Sequence, residues 1–145
     1  MRRIAVRGIA VHDNKLLLVR LKPYNHERQN EFYCTIGGGL DEGEGLIDGV
    51  KREVLEETGV EARVGKLLFV QQYADKHDNL EFFFFIENAE DFLDIDLSKS
   101  THGQEEIAEI GFFDPKNIEV LPKFLHEIDV STLKTQTDPI FFNYL

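Results

Sequence analysis

Before residue 45, the apolar positions fall in short runs that predict β-strands. The runs RIAVRGIAV at residues 3–11 and KLLLVRL at 15–21 are rich in β-branched residues and leucine, and the polar tripeptide HDN separates them. Two such runs joined by turn-forming residues are typical of a β-hairpin. A polar segment at 22–31 precedes a third predicted strand, FYCTI at 32–36. This part of the chain therefore predicts three strands and no helix.

From residue 46 the apolar positions change to helical spacing. Four side chains fall within an arc of roughly 80° and predict a face that packs on a sheet: Ile47, Val50, Val54 and Thr58. Gly59 follows directly and suits the left-handed cap that ends many helices. We therefore expect a helix from Leu46 to Thr58.

The same helix places three carboxylates together. Glu53, Glu56 and Glu57 fall within roughly 100° of one another around the helix axis, and carboxylates three or four residues apart repel. Arg52 can neutralise one of them, whereas a divalent cation such as Mg²⁺, which takes carboxylate oxygens, suits the whole set better. A solvated acidic surface is the alternative for any glutamate-rich helix. Gly49 lies in the same arc and indicates a close approach by the preceding loop or by a metal-bound phosphate.

The second half of the chain predicts further strands and a second helix. The runs at 62–74 and 79–88 flank DKHD and indicate another hairpin, whose second strand has phenylalanines on both faces and should be covered on each side. A polar segment precedes a strand at 107–113 and a proline-started helix within 115–128. The order β-β-β-α-β-β-β-α predicts an α+β sandwich, a mixed β-sheet flanked by helices. The segment at 131–145 suits either a tail docked on its own chain or a contact in a homodimer.

Composition narrows the class of protein. The 145 residues suit a single domain, 1–145, and no run approaches the length of a membrane span or a signal peptide. The one cysteine, Cys34, has no internal partner, which agrees with a reducing compartment, so we expect a cytoplasmic protein that makes no membrane contact. With 16 basic and 27 acidic residues the net charge is −11, which disfavours nucleic-acid binding. A small phosphorylated ligand remains compatible, provided that a cation carries the contact.

The spacing of the helix and of the glycines before it resembles a known signature. Gly38, five residues, Glu44, seven residues and the segment Arg52–Val60 match all nine specified positions of the Nudix hydrolase, or MutT-like, box. One departure lies ahead of the box, where many members have a tryptophan and a proline and this chain has Tyr33 and Ile36. The chain is thereby identified as similar to Nudix hydrolases, whose fold is an α/β/α sandwich.

The resemblance implies a metal-dependent hydrolase. Such enzymes cleave the phosphoanhydride of a nucleoside diphosphate linked to another group, using Mg²⁺ or Mn²⁺. It implies four metal-ligating or catalytic glutamates, a metal-contacting glycine carbonyl and a supporting arginine: Glu44, Glu53, Glu56, Glu57, Gly38 and Arg52. By the family's pattern Glu53 is a ligand or the base that orients water, and Glu44 is a ligand or lies behind the ligands.

The substrate is left open by these motifs. Nucleoside triphosphates, ADP-ribose, dinucleoside polyphosphates and nucleotide sugars are all cleaved with the same box, and the short chain favours nucleoside triphosphates or ADP-sugar-like compounds. The alternative to an enzyme is a catalytically silent Nudix domain that binds or senses nucleotides. Degenerate members of that kind typically lose box glutamates, and this chain has them all.

Several residues outside the box are candidate substrate contacts. Arg7 and Arg20 lie on apolar strand faces and need an anion, which is either a substrate phosphate or an acidic side chain. Tyr33 and Phe83 could stack on a nucleobase, although core packing is the alternative for any phenylalanine. Glu106 and Glu109 lie where some Nudix relatives supply an extra base or metal ligand, with a solvated strand edge as the alternative.

Overall fold

The computed structural model describes residues 2–23 and 31–145, so most of the loop predicted at 22–31 lies outside the described residues. The strands are β1 Arg2–Ile9, β2 Val11–His12, β3 Lys15–Leu21, β4 Tyr33–Cys34, β5 Ile36–Gly39, β6 Val64–Ala74, β7 Asp78–Ile86, β8 Ile107–Phe113, β9 Val120–Leu121 and β10 Ile140–Asn143. The helices are α1 Leu46–Thr58, α2 Gly103–Glu106 and α3 Phe124–Glu127, with 3₁₀ turns at Ala89–Phe92, Leu97–Lys99 and Val130–Thr132.

The predicted first hairpin is confirmed, with one difference. β2 and β3 pair antiparallel around Asp13 and Asn14, whose φ angles are 53° and 57°. Aspartate and asparagine tolerate this left-handed region, which tight hairpin turns require. The run at 3–11, however, divides at the buried Ala10, and β1 belongs to a different sheet from β2.

The strands form two sheets rather than the single sheet predicted. The first has the order β10-β6-β7-β1-β5, and the second has β2-β3-β4-β9 with β8 also paired to β3. The chain passes from one sheet to the other at Ala10, a change that hydrophobic periodicity does not reveal because the apolar run continues from Ile9 through Ala10 to Val11. Parallel and antiparallel pairs both occur, since β1 is parallel to β7 and antiparallel to β5. The predicted α+β class is confirmed.

The first sheet is covered on both faces, as expected from the phenylalanines of β7. On one face Phe84 shares a core with Val50 and Val54 of α1. On the other face Phe83 packs against Phe69 and Phe124, with ring centroids 6.4 and 5.4 Å away. Phe83 is fully buried, so the suggestion that it stacks on a nucleobase is corrected to core packing.

The C-terminal third differs most from the prediction. Within 115–128 only Phe124–Glu127 is helical, because Pro122 cannot donate an N–H and the preceding Val120–Leu121 pairs with β4 instead. The tail docks on its own chain, where β10 pairs parallel with β6 and the Phe142 ring stacks on Phe124 at 4.2 Å. A homodimer contact stays a prediction. Within the described residues, no helix is long and apolar enough to cross a membrane.

Candidate active site

Helix α1 carries the predicted carboxylates on the edge that faces the glycine-rich strand β5. Its bounds agree with the prediction, and it ends at Gly59, which has a φ of 76° and donates its N–H to the Leu55 carbonyl at 2.8 Å. Val50 and Val54 are fully buried, whereas Ile47 is 46% exposed and does not join the buried face. Burial of this apolar face fixes the direction in which the neighbouring glutamates point.

Arg52 binds three of the box glutamates at once. Its Nε and one terminal nitrogen donate to the two oxygens of Glu44 at 2.8 and 2.9 Å, a fork-on-fork pair. The other terminal nitrogen donates to Glu53 at 3.1 Å and to Glu56 at 3.2 Å. The hydrogen bonds from Arg52 lower the pKa of Glu44 below its usual value. Glu44 is thus committed to Arg52, and both its oxygens are used in orienting that guanidinium.

Glu57 stands apart from this network. Its side chain is buried, with 7% of the residue exposed, and one oxygen accepts the Gly37 N–H at 3.2 Å. Burial raises the pKa of Glu57 to about 8, against the attraction of Arg7 and assisted by repulsion from Glu53. Burial also raises the pKa of Glu53. Burial is thus the main reason that these two neighbouring carboxyls resist ionisation, and a cation beside them would favour their charged form.

Two glycines let the strand and the helix approach each other. A Cβ on Gly38 would lie 2.7 to 2.8 Å from the carboxylate atoms of Glu53, so a side chain at this position would require that carboxylate to shift. A Cβ on Gly49 would lie 2.6 Å from the Leu40 side chain. Of the two interpretations of Gly49, the structure therefore favours close approach of the preceding loop.

The short helix α2 brings two residues to the site, His102 directly before it and Glu106 at its end. Gly103 lies directly against the Glu57 carbonyl, where a Cβ would clash, and this contact holds α2 against the end of α1. As a result, His102 Nδ1 lies 3.3 Å from a Glu56 oxygen, and the His102 N–H donates to the Glu56 carbonyl at 2.9 Å. Sequence reasoning misses His102, because nothing in the spacing shows that residues 102 and 56 meet.

These residues line one cleft of about 370 Å³, which we call the carboxylate cleft. Its lining includes Gly38, Glu53, Glu56, Glu57, His102 and Glu106. Several carboxylates that line one cleft suit a hard divalent cation. Among residues 2–23 and 31–145, no three histidine, cysteine, aspartate or glutamate side chains already form a metal cage. Mg²⁺ usually keeps several waters and needs no such cage, so the donor set fits this ion.

A second cavity, of about 450 Å³, adjoins the carboxylate cleft. The two share Arg7, Leu21, Cys34 and Thr35 in their linings. Arg7 is bound at this boundary, since it donates to Glu81 at 3.2 Å and to the Thr35 carbonyl at 3.4 Å. The acidic side chain anticipated for Arg7 is therefore Glu81. Burial raises the pKa of the Cys34 thiol, which favours its neutral form.

Arg20, Tyr33 and Glu109 form a cluster of their own. The Tyr33 hydroxyl donates to Glu109 at 2.9 Å, and Arg20 lies 3.4 Å from the same oxygen. None of these three lines either cavity. Phe32 lines the second cavity instead, together with Cys34. Side chains two residues apart on a strand point to the same face. Because Cys34 lines the cavity, this alternation would have favoured Phe32 over Tyr33 as a cavity-lining residue.

The site combines a glycine-rich strand, a helix that carries carboxylates and an adjoining cavity within an α+β fold. Comparison of the chain with known protein families identifies the class of protein that has this arrangement. The NUDIX domain family matches residues 1–136. The chain belongs to the Nudix hydrolase family, and the resemblance of the motif is confirmed.

Individual relatives agree with this assignment. An ADP-ribose pyrophosphatase of Methanocaldococcus jannaschii is 37% identical over 76 residues, which are 50% of this chain and 41% of the relative, so the match spans about two-fifths of that protein. A NUDIX hydrolase from Nitrosomonas europaea superposes with a TM-score of 0.70 at 16% identity, covering 99% of this chain and 78% of the other. The MutT protein from Methanosarcina mazei Go1 gives 0.67 at 20% identity, covering 92% and 94%. At these identities the structural likenesses show the fold alone.

Proposed function

We propose that this Nudix protein is a divalent-metal-dependent hydrolase that cleaves the phosphoanhydride of a nucleoside diphosphate linked to a second group. The observation that carries the proposal is the pairing of two adjoining spaces. One is lined by carboxylates suited to a cation and a diphosphate, and the other has a mixed apolar and polar lining suited to a nucleoside. Arg7 lies between them.

The side chains divide into ligands and supports. Glu53, Glu56 and Glu57 would hold Mg²⁺ or Mn²⁺, and the Gly38 backbone lies close enough to Glu53 to share that site. When bound, the metal neutralises the diphosphate and lowers the pKa of an attacking water. Arg52 and Glu44 are positioning residues, because their hydrogen bonds run to other protein groups and fix Glu53 and Glu56.

Glu106 is a candidate proton acceptor for the attacking water. It is exposed, lines the carboxylate cleft and lies on α2, which Gly103 anchors to the end of α1. A general base must reach the water that it deprotonates, and a solvent-exposed carboxylate at the mouth of the cleft can do so. Glu53 is the second candidate for this role, as the box implies.

The proposed substrates are adenosine diphosphate derivatives such as ADP-ribose, with nucleoside triphosphates as the second class. The partial match to an ADP-ribose pyrophosphatase supports the first class. The adjoining cavity of about 450 Å³ supports both, since it falls within the roughly 300–1,000 Å³ typical of small-molecule sites.

A substrate panel tests the proposal. The protein is incubated with Mg²⁺ and with ADP-ribose, ADP-glucose, UDP-glucose, diadenosine polyphosphates and nucleoside triphosphates, and kcat/KM is measured from released monophosphate or pyrophosphate. We expect turnover that EDTA abolishes and that added Mg²⁺ or Mn²⁺ restores. Metal titration of Glu56→Gln should show weaker binding than the wild type.

A silent nucleotide-binding domain would behave differently. It would bind nucleotides without turnover of any compound, and Glu56→Gln would leave metal binding unchanged. That combination would contradict the enzymatic proposal and favour the binding domain.

A further inference from the structure

The wall of the second cavity carries an amide that is open to the cavity. Gln71 lies on strand β6, is 4% exposed and lines the cavity. Among the described residues, the only fully enclosed side-chain oxygen or nitrogen without a hydrogen-bond partner is Asp78 Oδ1, so the Gln71 amide is not sealed in the core. A glutamine amide offers two N–H donors and one acceptor oxygen. The position of Gln71 in the cavity wall therefore makes these groups available to a ligand.

Glu81 provides a fixed acceptor beside this amide. It lies opposite Gln71 in the β6–β7 ladder and is itself 4% exposed. One oxygen accepts from Arg7 at 3.2 Å and the other from the Tyr73 hydroxyl at 2.8 Å. These two bonds hold the carboxylate in one orientation. A carboxylate only accepts hydrogen bonds, so it favours a ligand edge that carries N–H groups and disfavours one that carries carbonyl oxygens alone.

Aromatic side chains complete the cavity. Phe32, Tyr73 and Tyr144 line it, and aromatic side chains of this kind can stack on a planar ligand. Tyr144 comes from the C-terminal tail, and its N–H donates to the Gln72 carbonyl at 2.9 Å. Its ring is nearly parallel to that of Phe142, with centroids 6.3 Å apart. The tail thus forms part of the cavity wall, which its interpretation as a docked segment did not anticipate.

We propose that this cavity holds the nucleobase of the substrate, that the base is adenine, and that Gln71 is the residue that selects it. The inference rests on the proposed function for the phosphate half of the substrate. A glutamine amide pairs with adenine through two hydrogen bonds, accepting from the amino group and donating to a ring nitrogen. Glu81 offers a second acceptor to the same amino group. At the position of that amino group uracil carries a carbonyl oxygen, which cannot donate to Glu81, so the contact with this carboxylate is lost.

Arg7 sets the orientation of the bound nucleotide. Because Arg7 lines both spaces, a base beside Gln71 directs its phosphates past the guanidinium and into the carboxylate cleft. A diphosphate next to Arg7 would compete with Glu81 for its N–H groups. The cavity therefore selects the base, while the carboxylate cleft takes the bond to be broken.

The test compares two substrates that differ in their base, ADP-glucose and UDP-glucose. Wild type should show a kcat/KM at least about tenfold higher for ADP-glucose, as expected for one bidentate contact. Gln71→Leu should lose most of this preference through a raised KM for ADP-glucose. Gln72→Leu is the matched control, because the next residue of the strand points to the opposite face, and it should keep the preference.

Equilibrium binding separates this inference from the proposed function. Calorimetric titration with AMP and UMP in the presence of Mg²⁺ reports on the cavity even if no compound is hydrolysed. Tighter binding of AMP that depends on Gln71, without turnover, would support the pocket and contradict the hydrolase. Equal binding of AMP and UMP, or an unchanged ratio in Gln71→Leu, would overturn the pocket inference whether or not hydrolysis occurs. If Gln71→Leu does not fold, Gln71→Glu replaces it and should weaken AMP binding, because it sets a second carboxylate beside Glu81.

Discussion

The carboxylate cleft and the adjoining cavity share a wall, but the chain builds them in opposite ways. Gly38, Glu53, Glu56 and Glu57 come from one short stretch, and helical geometry alone brings the glutamates together. The cavity combines Phe32 from before the helix, Gln71 and Glu81 from two central strands, and Tyr144 from the tail. The proposed metal site is therefore encoded locally, whereas the candidate proton acceptor Glu106 and substrate selection depend on how distant segments pack.

The largest effect should come from a carboxylate of the cleft. We expect Glu57→Gln to lower kcat by about 10³-fold or more, because it removes a proposed metal ligand and metal-ion catalysis contributes several kcal/mol. Steady-state kinetics at saturating Mg²⁺ measures this effect. Glu61→Gln, an exposed residue just beyond the helix, is the control and should stay within about twofold of wild type. Near-normal turnover by Glu57→Gln would place the chemistry elsewhere.

Two adjacent glycines test the close approach of β5 to the helix. In Gly38→Ala the new methyl meets the Glu53 carboxylate at 2.7 to 2.8 Å, whereas a Cβ on Gly39 has no neighbour within 4 Å. Displacing a catalytic group by about 1 Å can cost about 10²-fold, so we expect a loss of that order for Gly38→Ala and little change for Gly39→Ala. Measured kcat decides the matter, with thermal unfolding as a check on folding. Equal effects of both substitutions would show that the approach at Gly38 is not used.

The stability of the metal-free protein should depend on pH through Glu57. Its pKa rises from 4.5 to about 8 on folding, so the folded state holds the proton more tightly than the unfolded state does. The resulting stabilisation is complete below about pH 4.5 and is lost as the pH rises through about 8. Urea unfolding in EDTA should therefore give a lower midpoint at pH 9 than at pH 6, and Glu57→Gln should reduce the difference. A wild-type midpoint that does not fall over this range would contradict the raised pKa of the buried Glu57 carboxyl.

The smallest effect should come from the cluster that lines neither cavity. Glu109 is bound by Tyr33 and Arg20 on the second sheet, and its side chain is 41% exposed. We expect Glu109→Gln to change kcat/KM by less than about threefold, because exposed ion pairs contribute little. The matched change at the cleft, Glu106→Gln, should be clearly larger. A larger loss of kcat/KM in Glu109→Gln than in Glu106→Gln would indicate that Glu109 has a functional role.

The features that the sequence could predict depend on residues close together in the chain, and the features that it could not predict depend on contacts between distant segments. The helix bounds, the left-handed Gly59 and the shared arc of Glu53, Glu56 and Glu57 all depend on neighbours in the chain. Three other features depend on pairing with distant strands, which hydrophobic periodicity does not report. They are the division of the first strand at Ala10, the short α3 and the edge strand β10. Phe83 shows the limit most plainly, because a run of four phenylalanines does not say which ring will lie under Phe124.

The most direct test measures kcat and KM for the wild type, Glu57→Gln and Gln71→Leu with the adenosine compound that turns over fastest. It asks whether the carboxylate cleft carries the chemistry and the adjoining cavity carries substrate binding. We expect Glu57→Gln to lower kcat with little change in KM, because the interaction is made at the reacting phosphate. Gln71→Leu should raise KM while kcat stays within about threefold, as expected for a contact made equally in the ground and transition states. Both substitutions acting on the same parameter would contradict this assignment of roles.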